Sequence, residues 1–119
     1  MADTGRLTTH VLDIMHGRPA AGLRIDLIAL GGPQVSRLAE VTTNHDGRCD
    51  RPLLEGETMR PGSYQLLFHV GTYFRRMGIG GSTPFLDVVP VRFGIDNPSM
   101  HIHVPLLVSP YGYSTYRGS

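Results

Sequence analysis

The chain has 119 residues, which suits one domain around one hydrophobic core. At 40% apolar and 18% charged residues it reads as globular rather than disordered, and no stretch approaches the ~20 apolar residues of a membrane span. A net charge of +1 excludes a general nucleic-acid footprint, the single Cys49 excludes an intrachain disulfide, and the lack of any lysine among the eleven basic residues excludes Schiff-base chemistry.

Any fixed cation in a site must therefore be an arginine, which suits planar, bidentate recognition. The first residues, up to Arg6, lack the charged-then-apolar pattern of a signal peptide, and the last are not a Ser-Lys-Leu address. A cytoplasmic location is expected.

In chain order, short alternating runs predict strands over Arg6–Asp13, Arg24–Leu30, Ser36–Thr43, Arg48–Pro52, Ser63–His69, Asp87–Phe93, Met100–Val108 and Tyr113–Tyr116. One short helix is predicted over Val70–Met77. Turn residues fill the gaps, and Asp46-Gly47 is the clearest hairpin turn because glycine tolerates positive φ there. There is no linker, repeat or low-complexity segment, so residues 1–119 form one all-β domain. Eight strands and a helix imply two packed antiparallel sheets.

Alternation assigns faces. Ile102, Val104, Leu106 and Val108 should point to the core, and His101, His103, Pro105 and Leu107 away from it. His10 shares its face with Thr8 and Leu12, and Ser114 shares one with Tyr116. Histidines among leucines and a tyrosine on outward faces read as a cleft or a subunit interface.

Two chemistries suit these residues. His101-x-His103 puts two imidazoles on one face, roughly 7 Å apart along a strand. Zinc would need a third and fourth ligand, and the chain has neither Cys-x-x-Cys nor His-Glu-x-x-His; no metal is expected. The other chemistry is general acid–base catalysis, with a histidine activating water and an arginine stabilising an oxyanion. His10, Arg48 and His103 are the candidate set, and Arg117 in the tail is a further cation. Each has a plainer reading, as an interface histidine or a solvated arginine. Cys49 should turn into the core as a small hydrophobe. His16 and His45 should be solvated in turns, and His69 should cap the helix region. Tyr73, Phe74, Arg75 and Arg76 suit packing and solvent better than base stacking. Ser109 and Ser114 lack the context of a serine nucleophile.

Three segments carry a resemblance. Leu7-Thr-Thr-His-Val-Leu-Asp13 with Gly17-Arg-Pro-Ala20, then Asp46-Gly-Arg48, then His103 through the terminal Tyr116-Arg-Gly-Ser119, are similar to the signatures of the 5-hydroxyisourate hydrolases, or transthyretin-related proteins. The likeness runs from Arg6 to Ser119. It implies a transthyretin-like sandwich of two four-stranded antiparallel sheets, assembled as a homotetramer, a dimer of dimers. Active sites would lie where outer faces of different subunits meet. It implies cofactor-free hydrolysis of 5-hydroxyisourate to 2-oxo-4-hydroxy-4-carboxy-5-ureidoimidazoline in urate breakdown. It assigns catalysis to His10, Arg48 and His103, and the pocket to Tyr116, Arg117, Gly118 and Ser119 as well.

Two departures stand out: Ile102 replaces the family's usual aromatic between the histidines, and Phe85-Leu86-Asp87 replaces an aromatic-proline element. Hormone-carrying transthyretins resemble the chain in fold but use a channel-mouth lysine and lack the Tyr-Arg-Gly-Ser ending. A carrier without turnover is the competing expectation.

Overall fold

The computed structural model describes residues 5–118. Nine strands and two short helices follow one another. They are β1 (Arg6–Asp13), β2 (Arg18–Pro19), β3 (Arg24–Ala29), β4 (Ser36–Thr42), β5 (Leu54–Glu55), a 3-10 turn (Gly56–Thr58), β6 (Gly62–His69), α1 (Val70–Arg75), β7 (Val88–Ile95), β8 (His101–Ser109) and β9 (Gly112–Thr115). One sheet runs β2-β1-β8-β9 with β5 also on β1, and the other runs β4-β3-β6-β7. The two-sheet sandwich expected from alternation is present, and among the described residues no helix is long and apolar enough to cross a membrane.

The core lies between the sheets. Leu7, Val11, Leu106 and Val108 from one sheet and Ile25, Leu27, Leu66 and Phe68 from the other have no solvent exposure. Each such side chain contributes roughly 1.5–3 kcal/mol by leaving water. Ile102 and Val104 complete the inner face of β8 as expected. Seven of the expected elements keep their places with ends shifted by up to two residues, and α1 stops at Arg75 rather than Met77.

Two expectations are corrected. The sheets are antiparallel except where β1 meets β8. That pair is parallel over its whole length, from Arg6 opposite His101 to Asp13 opposite Val108. The expected strand Arg48–Pro52 does not form. Arg48 makes an isolated bridge to His10, whereas Leu54 and Glu55 pair with Leu7 and Arg6. Six residues separate Arg48 from Leu54 where β1 uses only three, from His10 to Leu7. The three surplus residues force the stretch from Cys49 to Pro52 out of the ladder, and Pro52 has no N–H with which to rejoin it.

The turn before it does not join hairpin strands. It carries the chain from β4 in one sheet to the β1 edge of the other. Gly47 takes φ 73° there and donates to the Asn44 carbonyl, while the Asn44 side-chain oxygen accepts from the backbone of Asp46 and Arg48. An added Cβ at Gly47 would sit 2.5 Å from the Val11 carbonyl oxygen, so no side chain fits.

α1 is anchored from below. Asp13, fully buried at the end of β1, accepts from the Tyr73 hydroxyl at 2.8 Å and from the His16 backbone at 2.9 Å, and pairs with His16 Nδ1 at 2.6 Å. Burial alone would push the Asp13 carboxyl up; the bonds from His16 and Tyr73 outweigh it and hold the carboxyl below its ordinary value. Burial and Asp13 push the Tyr73 hydroxyl up to about 12. His16 lies in an exposed turn, as expected, and is also bonded to Asp13. His69 stands at the N-cap position of α1, but its side chain makes no cap hydrogen bond; its ring lies 3.1 Å from Asp26 instead. Tyr73 and Phe74 pack in the core edge to face, with centroids 5.0 Å apart. Cys49 is half-buried against the core, and burial pushes its thiol up to about 11.

Candidate active site

Parallel pairing of β1 with β8 brings the outward residues of both strands side by side. Thr8 lies directly opposite His103, Arg6 opposite His101, and His10 opposite Pro105. The bridge between His10 and Arg48 then adds the guanidinium along the β1 edge. Three distant stretches of sequence meet here because two ladders share one strand.

The result is a cleft of about 510 Å³, walled by Arg6, Thr8, Arg48, Asp50, Arg51, His101, His103, Tyr116 and Gly118, with His10 paired to Arg48 on the β1 edge. The outward loop after Arg48 forms one wall. Its lining carries three arginines and two histidines against a single carboxylate. The imidazoles of His101 and His103 meet edge to face at 6.2 Å. Both share the Thr8 hydroxyl, 2.7 Å from His101 Nε2 and 2.7 Å from His103 Nδ1.

This cationic setting acts on the bases. Burial, then Arg48, His10 and His101, lower His103 below the ordinary histidine value. Burial and Arg48 lower His10, partly opposed by the Asp46 carbonyl and carboxylate. Burial and Arg6 lower His101. Taking a histidine out of water and facing it with cations both disfavour the imidazolium. Each ring is thereby kept neutral, the form that accepts a proton.

The tail reaches the cleft through a break in the ladder. β9 pairs with β8 from Ser109–Gly112 to Leu106–Thr115. Pro105 then has no N–H to offer, and the Thr115 hydroxyl donates to its carbonyl at 2.7 Å. Pairing resumes where the Gly118 N–H donates to the His103 carbonyl at 2.8 Å. In the same register, a Cβ on Gly118 would come within 2.7 Å of His103 Cδ2. Gly118 therefore lies flat on the imidazole, and only glycine allows that approach. Tyr116 falls in the gap, 60% exposed, on the cleft wall.

The structure thus brings together His10, Arg48, His103, Tyr116 and Gly118. Arg117 points elsewhere: it lines a neighbouring cavity with Met100 and Phe93, and its guanidinium lies 3.8 Å from Met100 Sδ. Ser119 lies outside the described residues. No three His, Cys, Asp or Glu side chains converge among the described residues. Sequence reasoning missed Thr8, Arg6 and Arg51. Thr8 was legible as a face-mate of His10, but its link to the other histidines needed the β1–β8 pairing.

A two-sheet sandwich with a histidine–arginine cleft on one outer face, closed by its own C-terminal strand, defines a class that comparison makes specific. The family described as HIUase/Transthyretin matches residues 7–118. The chain belongs to that family. A 5-hydroxyisourate hydrolase of Pseudomonas aeruginosa is 57% identical over 116 residues, covering 97% of this chain and 92% of its own. Among solved structures, an (S)-allantoin synthase superposes with TM-score 0.93 at 48% identity; 99% of this chain is covered, but it spans only 45% of that one. Sea bream transthyretin in complex with thyroxine superposes with TM-score 0.84 at 25% identity, covering 95% of this chain and 94% of its own.

Proposed function

We propose that the chain is a hydrolase that opens 5-hydroxyisourate by adding water across a cyclic amide C–N bond, within urate breakdown. The observation that carries this reading is His103, a base kept neutral beside Arg48 and clamped by Gly118 at the floor of a cationic cleft. His103 takes a proton from water as the oxygen attacks the ring carbonyl. Arg48 holds the carbonyl oxygen and stabilises the oxyanion that develops on it. His10, beside Arg48, orients the substrate or relays to the leaving nitrogen the proton that His103 took from water. The side chains present supply base, acid and electrophile, so the reaction needs no metal or cofactor. Tyr116 forms a wall for the planar substrate.

The assembly that suits this site is a homotetramer, a dimer of dimers, whose facing copies close the cleft. Ile14, Met15, Tyr111 and Tyr113 are exposed near the β8–β9 turn, and β7 and β9 present unpaired edges. A carrier of thyroxine-like ligands is disfavoured by Tyr116, which stands in the face such a ligand would cross, and by the arginine-rich lining.

The test is the ultraviolet decay of 5-hydroxyisourate made in situ from urate and urate oxidase, with an untagged C-terminus. Wild-type protein should clear it far faster than the spontaneous rate. His103→Ala should lose about 10²–10⁴-fold in kcat while folding and assembling normally. A folded wild type that leaves decay at the spontaneous rate would end the hydrolase reading.

A further inference from the structure

The Thr8 hydroxyl touches two imidazoles at 2.7 Å each, and a hydroxyl has one hydrogen to give. With both rings neutral it donates to one, so the other must donate to it. Two orders are allowed. In the first, His103 Nδ1–H donates to Thr8, Thr8 donates to His101 Nε2, and His103 Nε2 is bare. In the second, every bond is reversed and His103 Nε2 carries the hydrogen.

We propose that Thr8 and His101 are positioning residues that hold the first order, so that His103 meets the substrate water with a bare Nε2. This rests on the hydrolase reading above.

Three features bear on that order: the first two fix which nitrogen faces the cleft, and the third favours leaving that nitrogen bare. His103 Nδ1 is committed to Thr8, and Nε2 has no partner among the described residues, so Nε2 is the nitrogen left to the cleft. The ring cannot turn over freely to exchange them, because Gly118 lies against its Cβ, Cγ and Cδ2. The charged and titratable groups that face the pair are Arg6 and His10 on β1, Arg48, Asp50 and Arg51 on the loop wall, and Tyr116 in the tail. Cations outnumber carboxylates there, and a cationic field favours a lone pair over an N–H on the nitrogen that faces it.

The device also serves turnover. When Nε2 takes a proton from water, the Nδ1–H bond to Thr8 becomes charge-assisted and strengthens. Thr8 can accept it because its own hydrogen is directed to His101. Without His101 that hydrogen has no fixed direction, and the two orders interchange.

The first readout is the ¹⁵N spectrum of histidine-labelled protein, taken at a pH where the imidazoles are neutral. Wild type should show His103 as the Nδ1–H tautomer, and Thr8→Val should show a mixture. The second readout is kinetic. Thr8→Val should lose about 10- to 100-fold in kcat with KM changed less than about twofold, since the base is misplaced rather than removed. Its acid limb should move to lower pH, because the imidazolium loses its acceptor. Thr8→Ser should restore most of the rate, and His101→Phe should fall in between. The proposal is overturned if Thr8→Val keeps wild-type kcat and pH profile, or if wild-type His103 carries its proton on Nε2. An Nδ1–H His103 in a wild type that leaves 5-hydroxyisourate untouched would sustain the bridge and sink the hydrolase reading instead.

Discussion

The two outer faces of the sandwich each hold a histidine beside a central strand, and the charges around them are opposite. On the β3–β6 face, His69 lies 3.1 Å from Asp26, which also takes Arg24 at 3.1 Å, and Glu40 gathers Arg24 at 3.5 Å and Arg37 at 3.0 Å. His69, Arg24 and Arg37 there each have an acid. On the β1–β8 face, His103 has a hydroxyl, two other histidines and Arg48 as its neighbours, and no carboxylate in contact among the described residues. The first face spends its polar groups on one another. The second leaves a base and a cation unspent, which costs stability and supplies reactivity. The pairing differs, parallel on one face and antiparallel on the other, but each presents a histidine outward, and it is the partner of the ring that separates scaffold from site.

The comparison can be broken at several points. Arg48→Ala removes the oxyanion's partner on the reactive face, and kcat/KM should fall by about 10²–10³-fold with the fold intact by circular dichroism. Activity within a few-fold of wild type would move the electrophile elsewhere. Gly118→Ala pushes a methyl against His103 and should cost about tenfold or more in kcat through a displaced ring, with little change in Tm. On the quiet face, Asp26→Asn leaves Arg24 and His69 without their acid. It should cost about 1–3 kcal/mol in denaturant unfolding while leaving turnover unchanged. Asp26 is 5% exposed, so water cannot make good the loss.

The smallest effect is a shift of pH dependence. Burial and then Arg48 lower His103, and they do the same to His10, so the neutral rings persist below the ordinary value of 6.5. Activity should hold into mild acid and fall only as pH drops through the lowered values. In Arg48→Gln the repelling cation is gone, and both titrations, followed by NMR, should move to higher pH. The stability sign is that of a base whose folded value lies below its unfolded one. The contribution of neutral His10 and His103 is whole above their unfolded value and is lost as pH falls from there through their lowered folded values.

The period of two made the faces legible. Ile102 to Val108 inward and His101, His103 and His10 outward follow from alternation alone. The three motifs also located Arg48 and the tail. Pairing was not legible. Nothing local in Arg6–Asp13 says that its partner is β8, ninety-odd residues on, or that the two run parallel, because register between remote strands is set by packing. The fate of single polar side chains was equally out of reach. His69 found Asp26 through tertiary contact, where a helix cap was expected, and His16, in its exposed turn, bonds Asp13 three residues back. Arg48 to Pro52 had strand composition, but three surplus residues and a proline cannot stay in a ladder.

That outward loop has a consequence beyond forming a cleft wall. The β1 edge is met by β2 at Leu12–Asp13, by Arg48 at His10 and by β5 at Arg6–Leu7. Three short fragments thus occupy an edge that one continuous strand would otherwise leave open or extend. An uninterrupted eight-residue apolar-alternating edge is a template for adding foreign strands without end. Patched in this way, β1 offers no run long enough to seed a cross-β stack, and among the described residues the edges left open to strand addition are β4 and β7 of one sheet and β9 of the other.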